Sequence, residues 1–214
     1  MLFRSPAHYS ASDRSGKQIC KRQLLQELGL PPFVERPLIG IVSRFAEQKG
    51  FELFGQVAAE LAEEDCAFAI IGSGDRATED LFRYFAAARP DKFGVQIGYN
   101  DGLAHRIEAG ADMFLMPSKY EPCGLSQIYS LKYGTVPVVR AVGGLDDTIK
   151  ESTGFKFQEF SGWAMLGAIR EALTAFREPE RWRALEQAGM RSNFSWDVAA
   201  SQYMELYRGI SLRP

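Results

Sequence analysis

Residues 38–50 read "LIGIVSRFAEQKG", and the fold turns on how they are read. From Leu38 to Val42 the run is apolar without polar alternation, which suits a strand covered on both faces. Gly50 then opens "GFELFGQVAAELAEE", whose apolar spacing predicts a single helix. A doubly covered strand passed to a helix is one step of a parallel sheet, because the crossover helix must lay its apolar stripe on that sheet.

The alternation continues outward from this stretch. Strands are expected at "CAFAIIG", "KFGVQIG", "DMFLMPS", "VPVVR" and "TGFKF". Between them, "DRATEDLFRYFAAARP", "GLAHRIEAG" and the run from Gly124 to Tyr133 read as helices. Upstream, "KQICKRQLLQELG" places Ile19, Leu24, Leu25 and Leu28 on one side of a short helix, ended by Gly29 and Pro31. Residues 1–16 are polar and turn-rich and read as a linker or arm. Past Phe157 the chain turns helical through "SGWAMLGAIREALTAF", "PERWRALEQAGM" and "SWDVAASQYMELYRG". The expectation is an α/β domain over residues 17–214, a Rossmann-like doubly wound parallel sheet with a helical C-terminal extension.

Composition narrows the class. The 214 residues are 46% hydrophobic and 24% charged, enough for one substantial core. A net charge of −2 provides no basic field to recruit nucleic acid or an anionic membrane. Cys20, Cys66 and Cys123 are odd in number and widely spaced, which favours a reducing compartment over a disulfide framework or a zinc site. The N-terminal stretch has no apolar core of a signal peptide, and no apolar run approaches membrane-spanning length. The expected setting is the cytoplasm.

In doubly wound sheets ligands bind beyond the carboxyl ends of the strands, so the residues that follow strands are the candidates. Arg44 and Lys49 leave the first strand and can converge on an anion such as a pyrophosphate. As two solvated loop cations they need no ligand. Gly72-Ser73-Gly74-Asp75 resembles a phosphate turn, but a tight turn before a helix capped by Asp75 explains it almost as well. Tyr99, at the end of the third strand, can offer a flat face to a nucleobase or serve as a rim aromatic. His105 and Arg106 follow on the next helix, where capping or solvation accounts for them. Gly143-Gly144-Leu145 reads as a flexible turn, and Asp146 and Asp147 as first-turn acids.

The stretch "YEPCGLSQIYSLKYGT", residues 120–135, is the most pointed. Gly124 lets the backbone approach a ligand, and the free amides of a helix start favour a phosphate. Ser126 adds a hydroxyl donor. Glu121, just outside that turn, is placed to accept hydrogen bonds from sugar hydroxyls. The alternative is an N-cap region with an incidental acid and a buried Cys123. No base accompanies Cys123, so a packing or backbone-placing role suits it better than nucleophilic chemistry.

Together these segments, with "SRFAEQKG", "GSGD", "QIGYN", "HRIEAGADMFLMPSKYEPCGLSQIYSLKYGTVPVVRAVGGLDDT" and "FSWDVAASQYMELY", resemble the C-terminal domain of bacterial-type glycogen and starch synthases, glycosyltransferase family 5. The resemblance runs in order over roughly residues 16–209. It implies the C-terminal half of a two-domain GT-B fold, with the active site between the halves. It further implies glucose transfer from ADP-glucose, in some members UDP-glucose, to the non-reducing end of an α-1,4-glucan with retention. Laid onto this chain, Arg44 and Lys49 match the pair that neutralises the donor diphosphate, and Tyr99 the residue that stacks on adenine. Gly124, Leu125 and Ser126 match the turn at the distal phosphate, Glu121 the acid near the transferred glucose, and Cys123 its neighbour in the same pocket. His105 and Arg106 fall in a matching segment without an assigned contact. The implied partners are ADP or ADP-glucose, the glucan acceptor and an N-terminal GT-B domain, with no cofactor beyond the substrate.

Two departures qualify the match. The broader retaining GT-B pattern has a second Glu eight places after the first, where this chain has Tyr129. The Lys-x-Gly-Gly-Leu donor motif of the family's N-terminal domain has no counterpart, since "AVGGLDD" lacks the lysine. The chain alone is therefore expected to lack transferase activity and to self-associate. Its rivals are a stand-alone nucleotide- or glucan-binding module, or another GT-B enzyme such as an epimerase or phosphorylase.

Overall fold

The computed structural model describes residues 5–211. In chain order the elements are α1 (Ser15–Glu27), β1 (Leu38–Phe45), a 3₁₀ turn (Glu47–Lys49), α2 (Leu53–Gln56), α3 (Ala58–Glu63) and β2 (Ala67–Gly74). There follow α4 (Arg76–Ala88), β3 (Phe93–Ile97), α5 (Asp101–Gly110), β4 (Met113–Met116), α6 (Ser126–Lys132) and β5 (Val136–Arg140). The chain continues through α7 (Gly143–Thr148), β6 (Phe155–Phe157), α8 (Gly162–Phe176), α9 (Pro179–Arg191) and α10 (Trp196–Ser211).

The strands form one sheet in the order β3-β2-β1-β4-β5-β6, with every pairing parallel. The chain builds outward from β1 to β3, then returns to lay β4 on the other side of β1. At that reversal the loops leaving β1 and β4 diverge and open a crevice. The expected α/β doubly wound architecture is what the chain adopts.

Alternation along β1 supplies a core on each face of the sheet. Ile39 and Ile41 join Phe54, Phe68 and Phe82 under α2, α4 and α8, while Leu38 packs with Leu24, Leu25 and Ile107 under α1 and α5. Phe114 and Leu131 continue the second face beneath α6 and α7. No helix among the described residues is long and apolar enough to cross a membrane.

Three local expectations are corrected. The run after Gly50 is not one helix: α2 ends at Gln56 and Val57 leaves helical geometry (φ −133°, ψ 29°) before α3 begins. The start of α8 sits on that break, where the Gly162 amide donates to Gln56 Oε1 at 2.7 Å. Strand β1 runs on through Ser43-Arg44-Phe45, paired with Gly72-Ser73-Gly74 of β2, so Arg44 lies on a strand and not in a loop. A side chain at Gly72 would run into the Ser43 carbonyl and the Phe45 ring, and this close approach explains the glycine without a phosphate. Asp75 caps α4 as expected, accepting from the Thr78 amide at 3.0 Å.

The third correction concerns α1. Ile19 is exposed, and the buried face carries Lys17, Cys20 and Lys21 beside Leu24 and Leu25. Lys21 Nζ pairs with Asp112 Oδ2 at 2.6 Å. Lys17 Nζ donates to the carbonyls of Ala109 (3.3 Å) and Tyr133 (3.1 Å) and to Thr135 Oγ1 (2.8 Å), so it ties the C-terminal ends of α5 and α6 together. Burial pushes its ammonium down to about 7. Before α1, Tyr9 places its hydroxyl within 3.0 Å of the same two carbonyls.

Candidate functional site

Two adjoining cavities open at the β1/β4 reversal. One, of 310 Å³, is lined by Arg44, Tyr99, His105, Glu108, Ser126 and Tyr129 among others. The second, of 220 Å³, is lined by Arg44, Lys49, Phe51, Met116, Ser118 and Ser126 among others. Val42, Ser43, Arg44 and Ser126 line both, so the two form one continuous cleft. A larger cavity of 560 Å³ around Lys21, Asp112 and Trp182 holds none of the residues singled out for chemistry. Within it Lys21 pairs with Asp112 and Arg14 with Glu186.

Lys49, on the wall of the second cavity, pairs with Glu121, which lies behind it and lines neither cavity. Lys49 Nζ lies 2.5 Å from Glu121 Oε2, and Ser118 Oγ approaches the same oxygen at 3.4 Å. Glu121 is buried, so the ammonium beside it compensates a carboxylate that would otherwise be costly to desolvate. Arg44 is exposed at the junction of the two cavities. The site therefore presents an exposed guanidinium, without an ion pair among the described residues, beside a paired ammonium and acid.

The loop bearing Glu121 is held from behind. Gly144 donates its amide to the Glu121 carbonyl at 2.9 Å. A Cβ at Gly144 would lie 2.0 Å from the Cys123 carbonyl oxygen, and one at Gly143 (φ 47°) would lie 2.3 Å from that of Glu121. The two glycines thus let α7 abut the loop, where a flexible turn had been expected. From the front, Gln127 Nε2 donates to the carbonyls of Cys123 and Gly124, both at 3.0 Å. Gly124 takes φ 74°, turning the chain into α6, whose start at Ser126 has no side-chain cap.

Not every candidate reaches the cleft. Ser126 lines it, whereas Leu125 is exposed and neither it nor Gly124 lines either of these two cavities. Cys123 is exposed, not buried; its backbone carbonyl accepts from Gln127 and its thiol donates to the Gly124 carbonyl at 3.6 Å. Tyr99 is 89% exposed at the cleft mouth, so its faces are open to a ligand. Arg106 is committed elsewhere, to Glu27 through two contacts of 2.6 Å. His105 lines the cleft with Nδ1 2.9 Å from Tyr133 Oη.

Sequence reasoning missed Gln127, the Gly143-Gly144 brace and Glu108. Gln127 stood within the quoted run, but its target carbonyls are set by a backbone turn that residue types do not spell out. Glu108 is buried, and with no cation beside it burial pushes its carboxyl up to about 8. Its only signal was an acid inside the apolar stretch from Ile107 to Met116.

Crevice and cleft together define the ligand-binding side of a doubly wound α/β domain, and comparison with known proteins places that domain in a family. Residues 29–187 match the family described as Glycosyl transferases group 1, and the chain belongs to it. It is 50% identical over 212 residues to a glycogen synthase of Anaeromyxobacter sp. (strain Fw109-5), covering 96% of this chain and 45% of that protein. To a glycogen synthase of Koribacter versatilis (strain Ellin345) it is 51% identical over 208 residues, covering 94% of this chain and 43% of that protein. Among solved structures, the catalytic domain of starch synthase IV from Arabidopsis thaliana, bound to ADP and acarbose, superposes with a TM-score of 0.86 at 30% identity, covering 100% of this chain and 46% of that one. The chain thus spans less than half the length of the curated relatives it matches.

Proposed function

We propose that this chain is the nucleotide-binding half of a glycogen or starch synthase, which transfers glucose from ADP-glucose to the non-reducing end of an α-1,4-glucan with retention. The observation that carries the reading is the convergence of Arg44, Lys49 and Glu121 at the β1/β4 reversal, with the exposed Tyr99 ring at the mouth of the same cleft.

In this reading the diphosphate lies against Arg44 and Lys49 and the start of α6, near Gly124, Leu125 and Ser126. The two cations stabilise the negative charge that builds on the departing nucleoside diphosphate. Tyr99 stacks on the base. Glu121 faces the glucose and holds the Lys49 ammonium in the cleft, and Cys123 neighbours it through its backbone. The nucleotide sugar is a substrate, and no separate cofactor is required. The opposite wall and the acceptor site belong to an N-terminal GT-B domain, so this chain alone elongates no glucan, and its setting is cytoplasmic.

Calorimetric titration with ADP, UDP and ADP-glucose tests the reading. Saturable binding of ADP and ADP-glucose is expected. Absence of binding by all three overturns it.

A further inference from the structure

We propose that Glu108, on the floor of the cleft, takes the ribose hydroxyls of the bound nucleotide and so selects for a ribonucleotide. The inference rests on the nucleotide reading of this cleft and goes one group further.

Glu108 is the one buried acid lining the 310 Å³ cavity. It lies one helical turn beyond Ala104 and two beyond Asn100, both of which line the same wall, so it marks the deep end of that side of α5. Tyr129 of α6 lines the cavity with it. Among the described residues no side chain or amide bonds its carboxyl, and burial alone perturbs it. Its oxygens are not among the fully buried unpartnered atoms of the described residues, so they reach the space of the cleft, where a ligand hydroxyl can take the place of water.

The chemistry of the walls selects which part of a nucleotide meets it. The phosphates have their own place, since Arg44 and Lys49 line together only the other cavity, which Glu108 does not line. The base has the open Tyr99 ring at the mouth. Between base and phosphate lies the ribose, whose vicinal hydroxyls both donate and accept. Burial keeps the Glu108 carboxyl largely protonated at neutral pH, so one oxygen can donate while the other accepts.

The test measures affinities of this chain, and of Glu108→Leu and Glu108→Gln, for ADP and for 2′,3′-dideoxy-ADP. The unsubstituted chain should prefer ADP by about tenfold, the ordinary effect of leaving a buried hydrogen-bonding group unpaired. Glu108→Leu should bring that preference close to one, while Glu108→Gln, isosteric and still able to donate and accept, should retain most of it. An unchanged preference in Glu108→Leu overturns the inference and leaves the nucleotide reading standing. A shift in the ADP-to-UDP ratio with the dideoxy preference intact also overturns it, placing Glu108 against the base. Failure of the unsubstituted chain to bind ADP removes the reading and the inference together.

Discussion

Lys49 and Glu121 are joined across the reversal of the sheet, Nζ to Oε2 at 2.5 Å, although one follows β1 and the other follows β4. The pair links the two halves of the winding at the site itself. Removing either partner leaves the other charge in a partly desolvated position. Lys49→Met is expected to destabilise the fold by about 2–4 kcal/mol, below the range for fully buried pairs at its lower end because Lys49 keeps some exposure. Urea unfolding of Lys49→Met, Glu121→Gln and the double variant should give a coupling of roughly 1 kcal/mol or more. Additive effects would show that the pair contributes nothing jointly.

Arg44 behaves differently because it is exposed and makes no ion pair among the described residues. Arg44→Ala should leave the melting temperature nearly unchanged while weakening ADP binding by about 1.5–3 kcal/mol, the range for a charge-assisted contact. Calorimetry with unaltered ADP affinity would remove Arg44 from the site.

The glycines offer a matched comparison. Gly144→Ala pushes a methyl into the Cys123 carbonyl and must displace the Glu121 loop, so a loss of about 1–3 kcal/mol and weaker ADP binding are expected. Gly167 lies exposed within α8 with open space around its Cβ position. Gly167→Ala should stabilise by about 0.5–1 kcal/mol through helix propensity alone, with ADP affinity untouched. Equal effects at the two positions would contradict the bracing role.

Stability should also report Glu108. Its folded carboxyl titrates at about 8 against an ordinary 4.5, so the folded chain holds a proton that the unfolded chain releases. Unfolding therefore becomes easier as pH rises from 4.5 to about 8, with the loss complete above that window. Glu108→Gln, which has no proton to lose, should flatten this slope and be the more stable variant at pH 8.5. Parallel stability profiles for the two chains would contradict the burial of an isolated acid.

Helix α10 presents Trp196, Tyr203, Leu206, Tyr207 and Ile210 to solvent, and none of its described residues is buried. Such an unpartnered apolar surface favours self-association in the chain alone. Light scattering should show mass rising with concentration, and Tyr203→Ser with Tyr207→Ser should suppress it. A monomer at high concentration would speak against the idea.

The sheet was legible because runs such as "LIGIV" and "CAFAIIG" are apolar on both faces, a pattern that few other structures require. The break at Val57 was not, since it depends on the start of α8 docking from far along the chain. The burial of Lys17 and Lys21 on the inner face of α1 was not legible, because their partners come from residues 109–135. At the site, Arg44, Lys49, Tyr99 and Ser126 could be singled out by position, for strand ends and helix starts are where this topology gathers its ligands. Glu108 could not, because an acid within a helix is ordinarily a surface residue.

The brace behind Glu121 also sets the order in which the protein can become itself. Gly143 and Gly144 leave the ribosome after every residue they position, so a nascent chain can carry Arg44, Lys49 and Glu121 without yet having the loop geometry that unites them. A transcript stopped just before Gly143 would encode all three residues but omit the backing against which the Glu121 loop rests.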